Sequence, residues 1–331
     1  MTQTQTPIRW GILGTGSIAD KFTTGLTFLP DAEIAAVGSR TQEGADKFGE
    51  RFGIPRRHAS YAALANDPDV DVIYVSTPHP FHGENTILCL QAGKAVLCEK
   101  PFALNAGEVA EMIATARERK LFLMEAMWSR YYPAQVRARE LLAAGAIGEP
   151  QILNADLGFS TRFNPAGRLF DPALGGGALM DVGVYPVSLA SMIFGEPTDV
   201  TSRAHIGETG VDERAAMILS YPGGRFAVLY TATRTNTPHE AIILGSEGML
   251  RIGLDWHKPN RLILSKPGQP DEIIEVPFEG NGYNYEAVEV MACLRAGKLE
   301  SDIMPLDESL AILRTLDTIR GQWGLKYPSE G

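Results

Sequence analysis

Three features are scarce in this sequence of 331 residues, and each scarcity excludes a class of protein. Its three cysteines, Cys89, Cys98 and Cys293, are odd in number and lack the spacing of a metal site or a disulfide framework. No apolar run approaches the roughly 18 residues that indicate a membrane span. No run of five basic residues occurs and the net charge is −10, which argues against a nucleic-acid partner. We therefore predict buried, reduced thiols and neither a membrane nor a nucleic acid as a partner.

The N-terminal residues 1–7 carry no charged segment followed by an apolar one, so no secretory signal is visible and we expect a cytoplasmic protein. The length suits two domains. We predict a dinucleotide-binding domain over residues 1–126 and a substrate-binding and dimerisation domain over residues 127–331.

The first half of the chain alternates short apolar strands with amphipathic helices from residue 8 to residue 124. Such alternation is typical of parallel strands joined by right-handed crossovers, the doubly wound α/β sheet of a Rossmann domain. After Trp128 the pattern changes to two helices, over about 133–144 and 177–194, and then to six strand-like segments between residues 199 and 265. Consecutive strands predict a large, mostly antiparallel open sheet in a second α/β domain.

A glycine-rich turn follows the first predicted strand. Gly14, Gly16 and Ala19 fit the G-x-G-x-x-G/A fingerprint of dinucleotide-binding domains between a strand and a helix. The glycines allow the backbone to approach a pyrophosphate, and the helix start offers free N–H groups. A plain tight turn is the alternative. The fingerprint predicts cofactor contacts from Gly14, Thr15, Gly16, Ser17 and Ile18.

The end of the second strand distinguishes NAD from NADP. An acidic residue there binds the ribose 2′-hydroxyl, whereas an arginine accommodates a 2′-phosphate. The chain has Ser39 and Arg40 at this position and no carboxylate. We predict that both residues contact the cofactor and that NADP is preferred, with NAD as the alternative.

The loop after the third long strand is predicted to cross the crevice beside the nicotinamide. We assign cofactor contacts to Thr77, Pro78, His79 and His82. The two histidines lie three residues apart, but no third ligand with suitable spacing indicates zinc, and we predict no metal site.

A lysine stands at the carboxyl end of a further parallel strand, where open α/β sheets bind their ligands. It lies in the tripeptide Glu99-Lys100-Pro101, and we predict that Glu99 and Lys100 both contact the cofactor. Asp181 and Tyr185 are four residues apart on a predicted helix and share one face. The preceding stretch Gly175-Gly176-Gly177 is expected to leave room for a ligand to approach the start of that helix. A tyrosinate can accept the hydroxyl proton when a carbinol loses a hydride, and a nearby ammonium favours the phenolate. We predict Lys100, Asp181 and Tyr185 as catalytic, against the alternative of a structural core tyrosine.

The motifs Gly14-x-Gly16, Glu99-Lys100-Pro101 and Gly175-Gly176-Gly177-x-x-x-Asp181-x-Gly183-x-Tyr185 together resemble the Gfo/Idh/MocA oxidoreductase family over nearly the whole chain. The resemblance is strongest to its branch of dimeric dihydrodiol dehydrogenases and NADP-dependent D-xylose dehydrogenases. It implies an enzyme acting on a sugar, polyol or cyclic diol, self-association through the open sheet into a homodimer or a higher homo-oligomer, and cofactor-pocket roles for Trp128 and Arg168.

Two other functions remain open from sequence. One is an NAD-dependent glycosidase that oxidises its sugar transiently; Arg40 argues against it, since such enzymes resemble NAD binders. The other is a non-catalytic sugar or nucleotide sensor on the same scaffold, which the presence of Lys100, Asp181 and Tyr185 disfavours.

Overall fold

The computed structural model describes residues 6–330, which form two compact units. The first unit comprises residues up to Ala103, Gly107–Trp128 and Glu279–Ser309; the second comprises Leu104–Ala106, Ser129–Phe278 and the chain from Leu310 onward.

The first unit is built on a six-stranded parallel sheet in the order β3-β2-β1-β4-β5-β6. Its strands are β1 Ile8–Leu13, β2 Ala32–Gly38, β3 Arg56–His58, β4 Val72–Val75, β5 Ala95–Glu99 and β6 Leu123–Ala126. The strand order reverses direction between β1 and β4, the point at which doubly wound sheets open a crevice for a ligand. The predicted Rossmann fold is confirmed.

All but the last of the helices of the first unit connect these strands, and the last comes from a later part of the chain. They are α1 Ser17–Leu26, α2 Gln42–Phe52, α3 Tyr61–Ala65, α4 His82–Gln91, α5 Ala106–Arg119 and α8 Tyr283–Arg295. Sequence patterns miss β3 and α3, because elements of three and five residues are too short to show a period.

Aromatic side chains fill the centre of the first unit. The ring of Phe22, from α1, stacks on Tyr74 of β4 with centroids 3.7 Å apart and meets Trp10 of β1 edge-on at 5.2 Å. All three side chains are fully buried. This packing holds the helix that follows the glycine turn against the central strands.

The second unit contains an eight-stranded sheet in the order β14-β13-β12-β11-β7-β10-β9-β8. The strands are β7 Pro150–Gly158, β8 Asp199–Ile206, β9 Asp212–Tyr221, β10 Arg225–Ala232, β11 Ala241–Gly245, β12 Met249–Ile252, β13 Arg261–Ser265 and β14 Glu272–Glu275. All neighbouring strands are antiparallel except β7 and β10. The predicted mostly antiparallel sheet is confirmed, although the sequence patterns miss β7 and β14.

Along β10, buried and half-exposed residues alternate, so one face of the sheet packs inward and the other faces outward. Ala227 and Leu229 are buried, whereas Phe226, Val228 and Tyr230 are partly exposed on the other face. Dimerisation through this face stays a prediction.

The helices of the second unit are α6 Pro133–Ala143, α7 Val184–Phe194 and most of α9 Leu306–Trp323. The expectation that no apolar run approaches the length of a membrane span is wrong by composition alone. Within the described residues, the stretch Pro172–Phe194 is long and apolar enough, with a mean hydropathy of 1.5 over an 18-residue window. In the folded chain 78% of that window is buried, as in the core helix of a globular domain.

The segment Glu279–Ser309 belongs to the first unit, whereas the boundary predicted at residues 126/127 assigns it to the second. Its helix α8 packs against α1, and the backbone N–H of Leu123 in β6 donates to Leu299 O at 3.1 Å. A boundary drawn along the sequence cannot show this return, because it depends on contacts between residues far apart in the chain.

Candidate active site

The glycine turn of the first unit begins with a residue that only glycine fits well. Gly14 has a φ of +104°, and its N–H donates to Gly38 O at 3.0 Å. A Cβ on Gly14 would lie 2.8 Å from Ser76 Oγ, which in turn donates to Leu13 O. Gly14 therefore brings the ends of three strands together at the switch point of the sheet.

The start of α1 is open. Gly16 precedes the helix without a side-chain cap, and a Cβ built on it would meet no heavy atom within 4 Å. The first N–H groups of a helix have no intrahelical partner, and the helix dipole is positive there. The open backbone at Gly16 and Ser17 thus fits the pyrophosphate of a dinucleotide.

At the end of β2, the exposed guanidinium of Arg40 makes no side-chain hydrogen bond or ion pair with any residue between 6 and 330. Thr41 caps α2 by accepting a hydrogen bond from Gly44 N at 3.1 Å, and Ser39 is largely buried. Burial raises the pKa of Tyr61 and the charge of Arg40 lowers it, which places the two side chains near one another. Arg40 is available to pair with a phosphate.

His82 is fully buried between two loops of the crevice. Its Nε2 lies 2.7 Å from Thr77 O and its Nδ1 lies 2.8 Å from Pro101 O. Burial lowers the pKa of His82 to about 4, so the ring is neutral near pH 7 and donates from one nitrogen. His82 therefore ties the Thr77 loop to the Lys100–Pro101 peptide, and any part in cofactor binding acts through these loops. His79 stands beside it, with ring centroids 5.7 Å apart.

Lys100 follows β5 and is anchored through its backbone. Its N–H donates to Glu99 Oε2 at 3.1 Å, while the hydroxyl of Tyr74 donates to Glu99 Oε1. The pKa of Glu286, on α8, is raised well above its usual range by burial and then by the negative charge of Glu99. Buried acidic groups thus surround the strand end that presents the lysine. No local sequence pattern identifies Glu286, because α8 is remote along the chain.

Trp128, another predicted pocket residue, is buried in the first unit. Its ring stacks on Tyr283 with centroids 4.5 Å apart. The topology places Gly14, Arg40, Thr77 and Lys100 after four adjacent strands, β1, β2, β4 and β5, at one edge of the sheet.

In the second unit, two of the three consecutive glycines have no room for a side chain because neighbouring protein atoms fill the space. A Cβ on Gly176 would lie 2.9 Å from the backbone of Leu169, and one on Gly177, with a φ of +121°, would lie 2.3 Å from Asp212 Oδ1. Asp212 Oδ2 accepts a hydrogen bond from Leu179 N at 2.7 Å, so this carboxyl group binds the start of the following helical turn. Burial raises the pKa of Asp212 to about 6. No local sequence signal identifies Asp212.

Asp181 lies in a π-helical turn, Leu179–Gly183, which runs directly into α7. Such turns occur frequently at functional sites. Arg168 Nη1 lies 2.6 Å from Asp181 Oδ1; the arginine is 58% exposed and the aspartate is buried. Tyr185 follows at the start of α7 and is 6% exposed. The second unit therefore brings Arg168 and Asp181 into contact and holds Tyr185 one turn further on.

The first unit has the strand order and the open helix start of a dinucleotide-binding domain. Residues 8–127 match the NAD-binding Rossmann domain of the Gfo/Idh/MocA oxidoreductase family, and residues 136–251 match its C-terminal domain. The chain belongs to this family and is a dehydrogenase acting on CH–OH groups with NAD or NADP as its cofactor.

Curated relatives share the whole length of the chain. It is 41% identical to the trans-1,2-dihydrobenzene-1,2-diol dehydrogenase of Mus musculus and 40% identical to that of Homo sapiens, each alignment covering 98% of this chain and 99% of the relative.

Solved structures share the fold over both units. The aldose-aldose oxidoreductase of Caulobacter crescentus, complexed with glycerol, has a TM-score of 0.87 at 27% identity and covers 96% of this chain and 98% of its own. The 3-ketoreductase KijD10 of Actinomadura kijaniata, in complex with NADP and TDP-benzene, has a TM-score of 0.85 at 26% identity with the same coverage.

Proposed function

We propose that this protein is an NADP-dependent dehydrogenase that transfers a hydride between nicotinamide and the carbinol or carbonyl carbon of a sugar, polyol or cyclic diol. The observation that carries the cofactor choice is Arg40, an exposed arginine without a protein partner among the described residues at the tip of β2. A 2′-phosphate gives this guanidinium a charge-assisted, bidentate partner. The relatives named for a diol and the neighbours named for sugar chemistry support the substrate class.

The cofactor, when bound, accepts or donates the hydride at its nicotinamide ring. The residues proposed to hold it are Gly14, Gly16 and the N-terminus of α1 for the pyrophosphate, with Ser39 and Arg40 for the 2′-phosphate. A side chain of the protein must then accept the proton of the reacting hydroxyl during oxidation and donate it during reduction.

Tyr185 is proposed as the group that takes this proton during oxidation and returns it during reduction. An ammonium favours the phenolate form electrostatically, which is the role proposed for Lys100. Asp181, held by Arg168, offers a buried carboxylate that can orient the substrate hydroxyl. Among the related solved structures are variants of the ketoreductase with one lysine or one tyrosine replaced.

The test replaces the two residues singly and together. Tyr185→Phe keeps the ring but removes the titrating hydroxyl, so we expect intact folding and NADP binding with a kcat lower by roughly 10²–10⁴. Lys100→Met should also lower kcat, and the losses in the double variant should not add if the residues act as a unit. Oxidation by the unaltered enzyme should accelerate with pH through a group well below the ordinary tyrosine value of about 10.

Tyr221→Phe is the matched control, because it removes another largely buried tyrosine hydroxyl of the second unit. It should leave kcat unchanged. Near-normal turnover in Tyr185→Phe would place the proton acceptor elsewhere. Assays with aldoses, polyols and cyclic diols, each with NAD and with NADP, identify the substrate class.

A further inference from the structure

A row of titratable side chains outside the predicted site leads away from Tyr185 within the second unit. The ring of His257 lies beside Tyr185, with centroids 6.0 Å apart, and His239 lies the same distance beyond it. Asp255 completes the row: the ligating atoms of His239, Asp255 and His257 all lie within 4.8 Å of one another. A single water molecule can bridge polar atoms at a separation of this size, so neighbouring groups in the row can exchange a proton through it.

Hydrogen bonds fix the outer end of the row. His239 Nδ1 lies 2.9 Å from Asp255 Oδ1 and its Nε2 lies 2.6 Å from Gly158 O. Both partners are acceptors, so an imidazolium at His239 donates to both, while loss of either proton leaves an oxygen without its donor. A hydrogen bond from His239 lowers the pKa of Asp255, which keeps that carboxyl group ionised.

The backbone also holds the row in place. His239 and Asp255 have φ values of +59° and +57°. Non-glycine residues rarely adopt this conformation, and those that do are often found at functional sites. Asp156 accepts hydrogen bonds from the N–H groups of His239 and Glu240. Trp256, between Asp255 and His257, donates its indole N–H to Asp156 O at 2.6 Å.

The outer end of the row is more exposed to solvent than Tyr185. Tyr185 is 6% exposed, the side chain of His239 is 24% exposed, and that of Asp255 is 48% exposed. Lys258 Nζ lies 3.6 Å from Asp255 Oδ2, on the solvent side. A buried acid/base group therefore connects, through two imidazoles, with a carboxylate in contact with water.

We propose that His257 relays protons between Tyr185 and solvent through His239 and Asp255. The inference rests on the proposed role of Tyr185. During oxidation the phenolate oxygen binds the proton of the substrate hydroxyl; the phenolic O–H then breaks as an N–H forms on His257. That imidazolium returns to neutral as a proton leaves through the His239–Asp255 pair to water. One proton leaves the protein per turnover, and the steps reverse during reduction.

The same three residue types also bind zinc. In this arrangement, however, His239 directs one ring nitrogen at a carbonyl and the other at a carboxylate 2.9 Å away, a hydrogen-bond distance. The geometry points to a shared proton. If the cluster were a zinc site, adding zinc alone to the protein should change the activity and protect the protein against heating, and that result would overturn the relay.

The first experiment compares His257→Phe and His257→Gln with His205→Gln, which alters a half-exposed histidine elsewhere on the same sheet. We expect kcat of both His257 variants to fall on the order of tenfold, less than the roughly 10²–10⁴ of a direct acid/base group. KM should stay within about twofold, and added imidazole should restore turnover in His257→Phe in proportion to its concentration. His205→Gln should behave as the unaltered enzyme.

Nuclear magnetic resonance supplies a readout independent of activity. The chain has six histidines, so [13C]histidine labelling with one substitution for each assigns every ring. The pH titration of the His257 signal should shift in Tyr185→Phe and again in His239→Gln, because each change removes a neighbour in the row.

The outcomes separate the two proposals. A raised KM with unchanged kcat, no rescue by imidazole, or a His257 signal indifferent to Tyr185 and His239 would overturn the relay. If Tyr185→Phe nonetheless lowers kcat strongly, the proposed function stands without the relay. If Tyr185→Phe retains near-normal turnover, the proposed function itself fails.

Discussion

Two glycine-rich stretches, one in each unit, look alike in sequence but serve opposite purposes. At Gly16 a Cβ would meet nothing within 4 Å, so the missing side chain leaves space beside the N-terminus of α1. At Gly176 and Gly177 a Cβ would overlap the backbone of Leu169 and the carboxyl group of Asp212. The first stretch leaves room for a ligand, whereas the second is filled by the protein.

The difference corrects one interpretation drawn from sequence. The stretch Gly175–Gly177 was expected to leave room for a ligand near Asp181 and Tyr185; instead it lets Asp212 reach Leu179 N and hold the π-helical turn. The glycines thus support the proposed catalytic residues by positioning them.

The largest effect is expected for Gly177→Ala. An alanine would adopt a φ of +121° and place its Cβ 2.3 Å from Asp212 Oδ1, which should lower the free energy of unfolding by about 2–5 kcal/mol. Thermal unfolding measures this loss. Gly195→Ala is the control, since it also has a positive φ but open space around it; an equal loss there would show that backbone conformation alone is responsible.

Asp212→Asn tests the same contact through pH. Because the folded-state pKa of Asp212 is about 6 and its ordinary value is 3.8, the folded protein binds more protons than the unfolded chain between these values. Stability from this group is therefore greatest below about pH 4 and declines as pH rises to 6, by about 3 kcal/mol. Asparagine can still accept from Leu179 N but does not titrate. Urea unfolding at pH 4.5 and 7 should show the variant gaining stability relative to the unaltered protein at the higher pH, and a constant difference would contradict the burial of a titrating group.

Arg40→Ala tests the proposed cofactor site of the first unit. Losing a charge-assisted bond to the 2′-phosphate should weaken NADP by about 1–3 kcal/mol, roughly 5- to 150-fold in KM, and barely change NAD. Steady-state kinetics with each cofactor measures the change in KM for NADP relative to the change for NAD. Arg137→Ala, at an exposed arginine of α6, is the control. Equal effects on both cofactors, or an unaltered enzyme that prefers NAD, would refute the NADP assignment.

Gly16→Ala should have the smallest effect. It should weaken the binding of NADP and leave the stability of the fold unchanged. Its φ of −81° suits alanine and its surroundings are open, so the unfolding temperature should stay unchanged. A methyl group in the space proposed for the pyrophosphate should raise the Kd of NADP about tenfold, a loss of about 1.4 kcal/mol. Titration by cofactor fluorescence measures it, and loss of stability without loss of affinity would show that this stretch, too, is structural.

Local patterns predicted most of the architecture because they report on short-range geometry. The apolar runs ending at Leu13, Val75 and Glu99 alternate with helices, and a chain that does so has few ways to bury its strands other than a parallel sheet. Strand β7 escaped prediction because Pro150, Asn154, Asp156 and Gly158 interrupt its apolar pattern, although it pairs with both β10 and β11.

The sequence alone determined the two sheet types, the cofactor fingerprint and the candidates Lys100, Asp181 and Tyr185, because each is carried by neighbours in the chain. The tertiary structure decided what no short segment contains. It returned residues 279–309 to the first unit, filled the second glycine stretch with Asp212, and aligned His257, His239 and Asp255 beyond Tyr185. Each of these features depends on contacts between residues that are distant in sequence. Such residues come together only when the chain has folded and packed.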